Sequence, residues 1–251
     1  MGVGRNMRYM GGKFRQSKYI VKVLKDLGCN KDSTYVEPFC GAMWSASAVA
    51  RDIKPNKLIL SDINQYVINM WNALIYDDCK LPTHLTEEEY KYYKNNKPID
   101  DWRTAFVGFD MSFGGKWFGG LARMKYDKLN DRYDFISGVN STMKVVEILK
   151  KSNIEIGCFT YLKYRDVVGS YIYLDPPYEN RVKCHNFDGK FDYIEFWDFA
   201  RHISKNNIVI VTCFNCPEDF KTLYNFGDTV VRHLNSKGKD GTNENIVKYN
   251  G

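Results

Sequence analysis

With 251 residues, 44% of them hydrophobic and 26% charged, the chain has room for one large α/β domain, or for one domain carrying an inserted lobe. Its net charge of +6 suits a polyanionic partner without requiring one. Seven cysteines at irregular spacings argue against a disulfide framework and for a reducing compartment, and no run reaches the ~18 apolar residues a membrane span needs. Cys213 and Cys216 have CxxC spacing but no second pair or histidine cluster, so no metal site is expected. The opening residues hold neither the apolar core nor the cleavage site of a leader. The expectation is a cytoplasmic protein, monomeric or weakly dimeric, with no membrane contact and no obligate protein partner.

Glycine and basic residues mark the first segment, Arg8-Tyr9-Met10-Gly11-Gly12-Lys13. Ile20, Val21, Val23, Leu24 and Leu27 then follow helical spacing, stopped by Gly28. A strand at Thr34 to Glu37 breaks at Pro38, and a helix-compatible run of small residues covers Ser45 to Arg51. A second strand, Lys57 to Ser61, ends at Asp62, and a helix carries Val67, Ile68, Met70, Trp71 and Leu74. From about Leu81 to Asn140 the strand–helix rhythm fails, and nine Lys/Arg face six Asp/Glu between Tyr90 and Asp134. That length without rhythm predicts an inserted lobe over 81–140, with 1–80 and 141–251 forming the main domain. The rhythm resumes with a helix at Thr142 to Lys150 and strands at Ile154 to Cys158 and Tyr171 to Leu174. A helix at Tyr193 to Ser204 and a strongly apolar strand at Asn207 to Thr212 follow. Thr229 to Val231 and Asn245 to Tyr249 are expected to close the sheet as a β-hairpin. The pattern predicts an α/β fold with a doubly wound, mostly parallel sheet, whose ligands bind beyond the carboxyl ends of its strands.

Three segments lie just past predicted strand ends: Glu37-Pro38-Phe39-Cys40-Gly41, Ser61-Asp62-Ile63-Asn64 and Asp175-Pro176-Pro177-Tyr178. The prolines of the last hold the backbone extended and rigid, which aims a carboxylate and a carbonyl at one point. Two converging acceptors suit an exocyclic amino group with two hydrogens, such as N6 of adenine. Tyr178 offers a flat face for stacking, as in a pocket for a flipped-out nucleobase. A plain proline turn with Asp175 as a local cap is the competing reading. A glycine after the first strand permits close ligand approach, and an acid ending the second suits a ribose. Asp62 also suits capping of the next helix. No GxxxxGK[ST] or full GxGxxG is present, so the implied cofactor carries a nucleoside without needing a pyrophosphate. S-adenosylmethionine meets that description.

These motifs, in this order, resemble the DNA adenine-N6 methyltransferases of the Dam type, over nearly the whole chain. The leading segment, with Tyr9, Met10, Gly11 and Lys13, is similar to the family's first cofactor motif. Glu37, Pro38, Phe39, Cys40 and Gly41 resemble its methionine-side motif, and Asp62 with Ile63 its ribose-binding turn. Tyr164 stands where the family places an aromatic against the cofactor adenine. The resemblance implies a Rossmann-like methyltransferase fold, S-adenosylmethionine as cofactor and double-stranded DNA as partner. By the same resemblance Asp175 and the Pro176 carbonyl accept the two N6 hydrogens, and Pro177 and Tyr178 complete the catalytic motif. Glu179 to Phe191 is implied to be a lid, with Phe191 as a second face of the base pocket.

In the lobe, a mainly helical target-recognition element by resemblance, Phe118-Gly119-Gly120-Leu121-Ala122-Arg123-Met124-Lys125 departs from the run found in enzymes that read GATC. Arg123 holds the equivalent arginine, suited to bidentate contact with guanine. Phosphate contact is an equal reading for Arg123 and Lys116, with Lys125 beside them. Trp117 and Phe118 are expected in the lobe core rather than as intercalating wedges. Methylation of RNA adenine or of cytosine N4 ranks lower, because RNA enzymes more often carry Asn, and cytosine enzymes Ser, at position 175. A silent DNA-binding decoy conflicts with intact Lys13, Asp62 and Asp175. No endonuclease motif stands out, so modification without cleavage is the expectation.

Overall fold

The computed structural model describes residues 8–123, 125–178, 191–227 and 243–251. In chain order, α1 (Ser17–Asp26), β1 (Thr34–Glu37), α2 (Trp44–Asp52), β2 (Lys57–Asp62) and α3 (Gln65–Ile75) open the fold. The lobe contributes β3 (His84–Leu85), α4 (Glu87–Asn96), α5 (Arg103–Phe109), β4 (Lys125–Asp127) and β5 (Arg132–Asp134). Then follow α6 (Ile136–Leu149), β6 (Ile154–Cys158), β7 (Tyr171–Leu174), α7 (Tyr193–Ser204), β8 (Ile208–Cys213), β9 (Phe220–Asn225) and β10 (Asn245–Tyr249).

Among the described residues the main sheet runs β6-β2-β1-β7-β8-β10-β9. The first five strands are mutually parallel, and β10 lies antiparallel between β8 and β9. Alternating side chains feed two cores, as a sheet covered on both faces requires. Tyr35, Leu58, Leu60, Tyr173 and Ile210 pack with α1, α2, α3 and α6 on one face. Val36, Ile172, Leu174, Val209 and Val211 pack with Phe196, Phe199 and Ile203 of α7 on the other. The doubly wound, mostly parallel sheet is as expected.

Local signals set the helix ends. At α4, Thr86 and Glu89 form a reciprocal capping box and the first turn carries Glu87, Glu88 and Glu89. At α3 the cap is Asn64, whose side chain accepts from the Tyr66 N–H. Asp62 is therefore free of the capping role.

Two elements depart from the sequence reading. The helix expected from Thr142 begins at Ile136, because Ser137, Gly138, Asn140 and Ser141 hide its apolar periodicity. Gly138 is there for space: a Cβ would meet Asp110 Oδ2 at 2.0 Å. The expected hairpin partner Thr229 to Val231 lies outside the described residues; among the described residues β10 pairs with β8 and with β9, a strand the sequence reading did not include. β9 sits at the sheet edge with only Phe220 buried, so it has no apolar alternation to read.

The elements from β3 to β5 pack directly on the main sheet and its helices. Phe106, Phe109 and Phe118 belong to the same core cluster as Ile20, Leu58 and Leu60. Phe118 is a core residue as expected, and Trp117, half-buried, packs against the core at 4.8 Å from the Phe109 ring and 5.0 Å from Tyr66 of α3.

Candidate active site

Parallel pairing of β1 with both β2 and β7 brings Glu37, Asp62 and Asp175 to one edge of the sheet. A cavity of about 330 Å³ opens there. All predicted residues of segments 9–13, 37–41, 62–63 and 175–178 line it, and so does Phe191. Its floor is the turn after β1. Gly41 has φ 42°, and a Cβ there would stand 3.1 Å from the Tyr9 ring. Asp62 fixes that turn, with Oδ2 accepting the Gly41 N–H at 2.9 Å and Oδ1 accepting the Asn64 N–H at 2.9 Å. The Gly41 carbonyl accepts from Trp71 Nε1 at 2.9 Å. Burial raises the Asp62 carboxyl, countered in part by the backbone N–H groups of Asn64, Gly41 and Ile63.

Glu37 is 1% exposed and accepts from Tyr35 at 2.7 Å and from Ser45. Burial pushes its carboxyl up to about 8 against those hydrogen bonds, so it holds a proton at neutral pH. It is a structural acid of the cavity wall rather than a charge.

The Asp175 end of the cavity is a buried ionic cluster. Lys13 Nζ lies 2.9 Å from Asp175 Oδ1 and 3.2 Å from Glu244 Oε1, and 4.9 Å from the centre of the Tyr178 ring. The Tyr178 hydroxyl donates to Asp175 Oδ1 at 3.3 Å and is also bonded to Glu244. Gln16 Nε2 donates to Glu244 Oε2 at 3.2 Å. Burial pushes Asp175 up to about 6, with Lys13 opposing and Glu244 reinforcing the rise. Burial works against the Lys13 charge, yet Asp175 and Glu244 together hold its ammonium above the ordinary lysine value. Burial also pushes Glu244 up, but Lys13, Tyr178 and Gln16 outweigh it and hold that carboxyl below its usual value. The Tyr193 hydroxyl donates to the Pro177 carbonyl at 2.7 Å, tying the proline turn to α7.

Other predicted residues lie elsewhere. Tyr164 is 5% exposed and packs into the second core with Ile172, Phe196 and Phe199, so it does not reach the cavity. Phe159 and Tyr161 from the same stretch line it instead. Lys116, Arg123 and Lys125 are exposed and do not line the cavity, with Arg123 Nη2 3.2 Å from Glu87 Oε1. Among residues not singled out from the sequence, Glu244 is the most telling, because β10 carries it to Lys13 from the far end of the chain.

A family model for the D12 class N6 adenine-specific DNA methyltransferases matches residues 9–148, more than half of the chain. The chain belongs to that family. The D12-class match takes in Lys13, Glu37, Asp62 and the lobe, and stops before Asp175. The type II methyltransferase M.FokI of Planomicrobium okeanokoites is 23% identical over 271 residues, a match covering 98% of this chain and 36% of the relative. The chain thus spans about a third of that protein's length. Among solved structures, the putative methyltransferase yhhF from Escherichia coli matches with a TM-score of 0.43 at 7% identity, covering 94% of this chain and 87% of that one. The rRNA methyltransferase aviRa from Streptomyces viridochromogenes matches with a TM-score of 0.43 at 12% identity, covering 94% and 84%. Likenesses this distant say nothing of substrate.

Proposed function

We propose that this D12-class protein transfers a methyl group from S-adenosylmethionine to N6 of an adenine flipped out of double-stranded DNA. The observation that carries the reading is the pairing of Asp175-Pro176-Pro177-Tyr178 with a glycine-floored cavity that ends at a fixed carboxylate, Asp62. The cavity fits the cofactor. The space kept open at Gly41 suits its methionine portion, between the segment around Tyr9, Met10 and Gly11 and the turn Pro38-Phe39-Cys40. Asp62 suits its ribose, since a carboxylate offers about four lone-pair sites and the backbone N–H groups of Gly41, Ile63 and Asn64 take three of them. Parallel register pairs Asp62 with Cys158, which sets Phe159 beside Ile63 as the walls for its adenine.

Bound there, S-adenosylmethionine supplies a methyl group already activated on a sulfonium. The chain's own task is to hold and aim the amine. Asp175 and the Pro176 carbonyl accept the two N6 hydrogens, which turns the nitrogen lone pair toward the methyl side. Tyr178 and Phe191 offer ring faces to the base. No strong base is required, because a proton leaves readily from a nitrogen that has become cationic. The exposed Lys116, Arg123 and Lys125 give the lobe its DNA-facing charge, as a target-recognition element over about residues 81–140. Expression in a host without DNA methylation, followed by genome-wide mapping of modified bases, tests this. N6-methyladenine is expected at every copy of one short motif; a genome with unmodified adenine would refute it.

A further inference from the structure

Lys13 creates an electrostatic difficulty that Glu244 resolves. Its ammonium, 5% exposed, sits on Asp175, the group that has to accept from a target amine. Alone, the pair would be neutral and Asp175 would be committed to Lys13. Glu244 approaches the same ammonium from β10 and takes a share of it, and it also takes the Tyr178 hydroxyl. With one ammonium between two carboxylates the cluster carries a net charge of −1. Among the described residues, the contacts to Asp175 fall on Oδ1, which leaves Oδ2 to an incoming donor.

We propose that Glu244 is a positioning residue for methyl transfer, holding Lys13 and Tyr178 so that Asp175 keeps an acceptor oxygen and the cluster keeps its negative charge. This rests on the function proposed above. In that reaction the N6 lone pair forms the new bond to carbon, the carbon–sulfur pair stays on sulfur, and N6 is cationic until one of its protons leaves. A net negative cluster beside that nitrogen favours the cationic state. The charged and titratable groups facing Asp175 are Lys13 before α1, Glu244 at β10, Tyr178, Tyr173 of β7, Glu37 at the end of β1 and Tyr9. Glu37 is protonated at neutral pH and the tyrosines are neutral. Glu244 is therefore the carboxylate that balances Lys13.

The test combines Glu244→Gln, which removes the charge and keeps the shape, with Glu244→Asp, which keeps the charge. Carboxyl NMR titration of Asp175 in the protein alone is expected to show its midpoint at lower pH in Glu244→Gln than in the wild type, and near the wild-type value in Glu244→Asp. In Glu244→Gln, kcat is expected to fall roughly 10- to 100-fold, with cofactor affinity close to that of the wild type. An unmoved midpoint with unchanged kcat in Glu244→Gln overturns the proposal, and so does an equal midpoint shift in both variants. If the wild type itself leaves adenine unmethylated, the methyltransferase reading fails on its own, and the titration still decides the link between Glu244 and Asp175.

Discussion

Asp175→Ala is expected to lower methyl transfer to DNA by at least about 10³-fold, while cofactor affinity changes only a few-fold. In the proposed reaction the side chain supplies one of two acceptors aimed at the same amine, and the Pro176 carbonyl alone cannot orient the nitrogen. The proposed cofactor contacts are spread over Gly41, Asp62 and the segment around Tyr9, apart from the Asp175 side chain. The fold should tolerate the change, because Lys13 keeps Glu244 at 3.2 Å and its charge is not orphaned. Incorporation of labelled methyl groups, set beside a cofactor-binding titration, separates the two effects. Full activity in the variant would remove Asp175 from the mechanism. The pH dependence supplies a second measure. Burial raises Asp175 to about 6, and the acceptor role needs the ionised form. Wild-type kcat should therefore fall as pH drops through about 6. Asp175→Asn, which keeps one acceptor oxygen, should lose less than the alanine variant and lack that acid limb.

Much of the frame was legible because the central parallel strands, buried on both faces, leave short apolar runs, while the edge strand at Ile154 to Cys158 alternates apolar with other residues. Tyr171 to Leu174 and Ile154 to Cys158 have the bounds read from the residues alone, and each of the site strands ends in turn chemistry: Pro38, Asp62 or Pro176. Once those ends are known to be parallel, their convergence on one edge follows from topology. What escaped was set by non-local packing. In β9 Lys221, Thr222 and Leu223 are exposed in succession, where an alternation would bury every second side chain, so no half-buried pattern marks it as a strand. Tyr164 and Phe159 lie in one aromatic stretch, and a single 3₁₀ turn over Tyr161–Tyr164 decides which ring enters the core and which borders the cavity. Glu244, just before the closing strand, carried no local signal, because its partners are remote: Gln16, one of them, is 228 residues away. A hydrogen bond across that separation exists only after the antiparallel insertion of β10 beside β8.

Lys13→Met should expose how much of the fold rests on this cluster. The substitution keeps the length and apolar stem but leaves Asp175 and Glu244 buried and facing each other without a cation. Removing one partner of a buried ionic cluster costs about 3–5 kcal/mol, so a large drop in the urea midpoint is expected at pH 7.5. The sign of its pH dependence distinguishes lost charge from lost packing. In the wild type the folded-state value of Lys13 is raised, so its contribution is complete below the ordinary lysine value and is lost only as pH rises through the higher one. Between pH 5 and 8 Lys13 itself stays charged, and in the wild type only its partner Asp175 takes up a proton, near 6. In the variant, two carboxyls lose their ammonium, and their folded-state values rise above those of the unfolded chain. Lowering the pH then protonates them in the native state first, and the variant regains stability as pH falls through those raised values. Urea titrations of both proteins at pH 5, 6.5 and 8 should show the deficit shrinking toward acid. A deficit that stays constant across that range would mean that Lys13 stabilises the site through its methylene packing, and that the two carboxylates are solvated well enough to do without it.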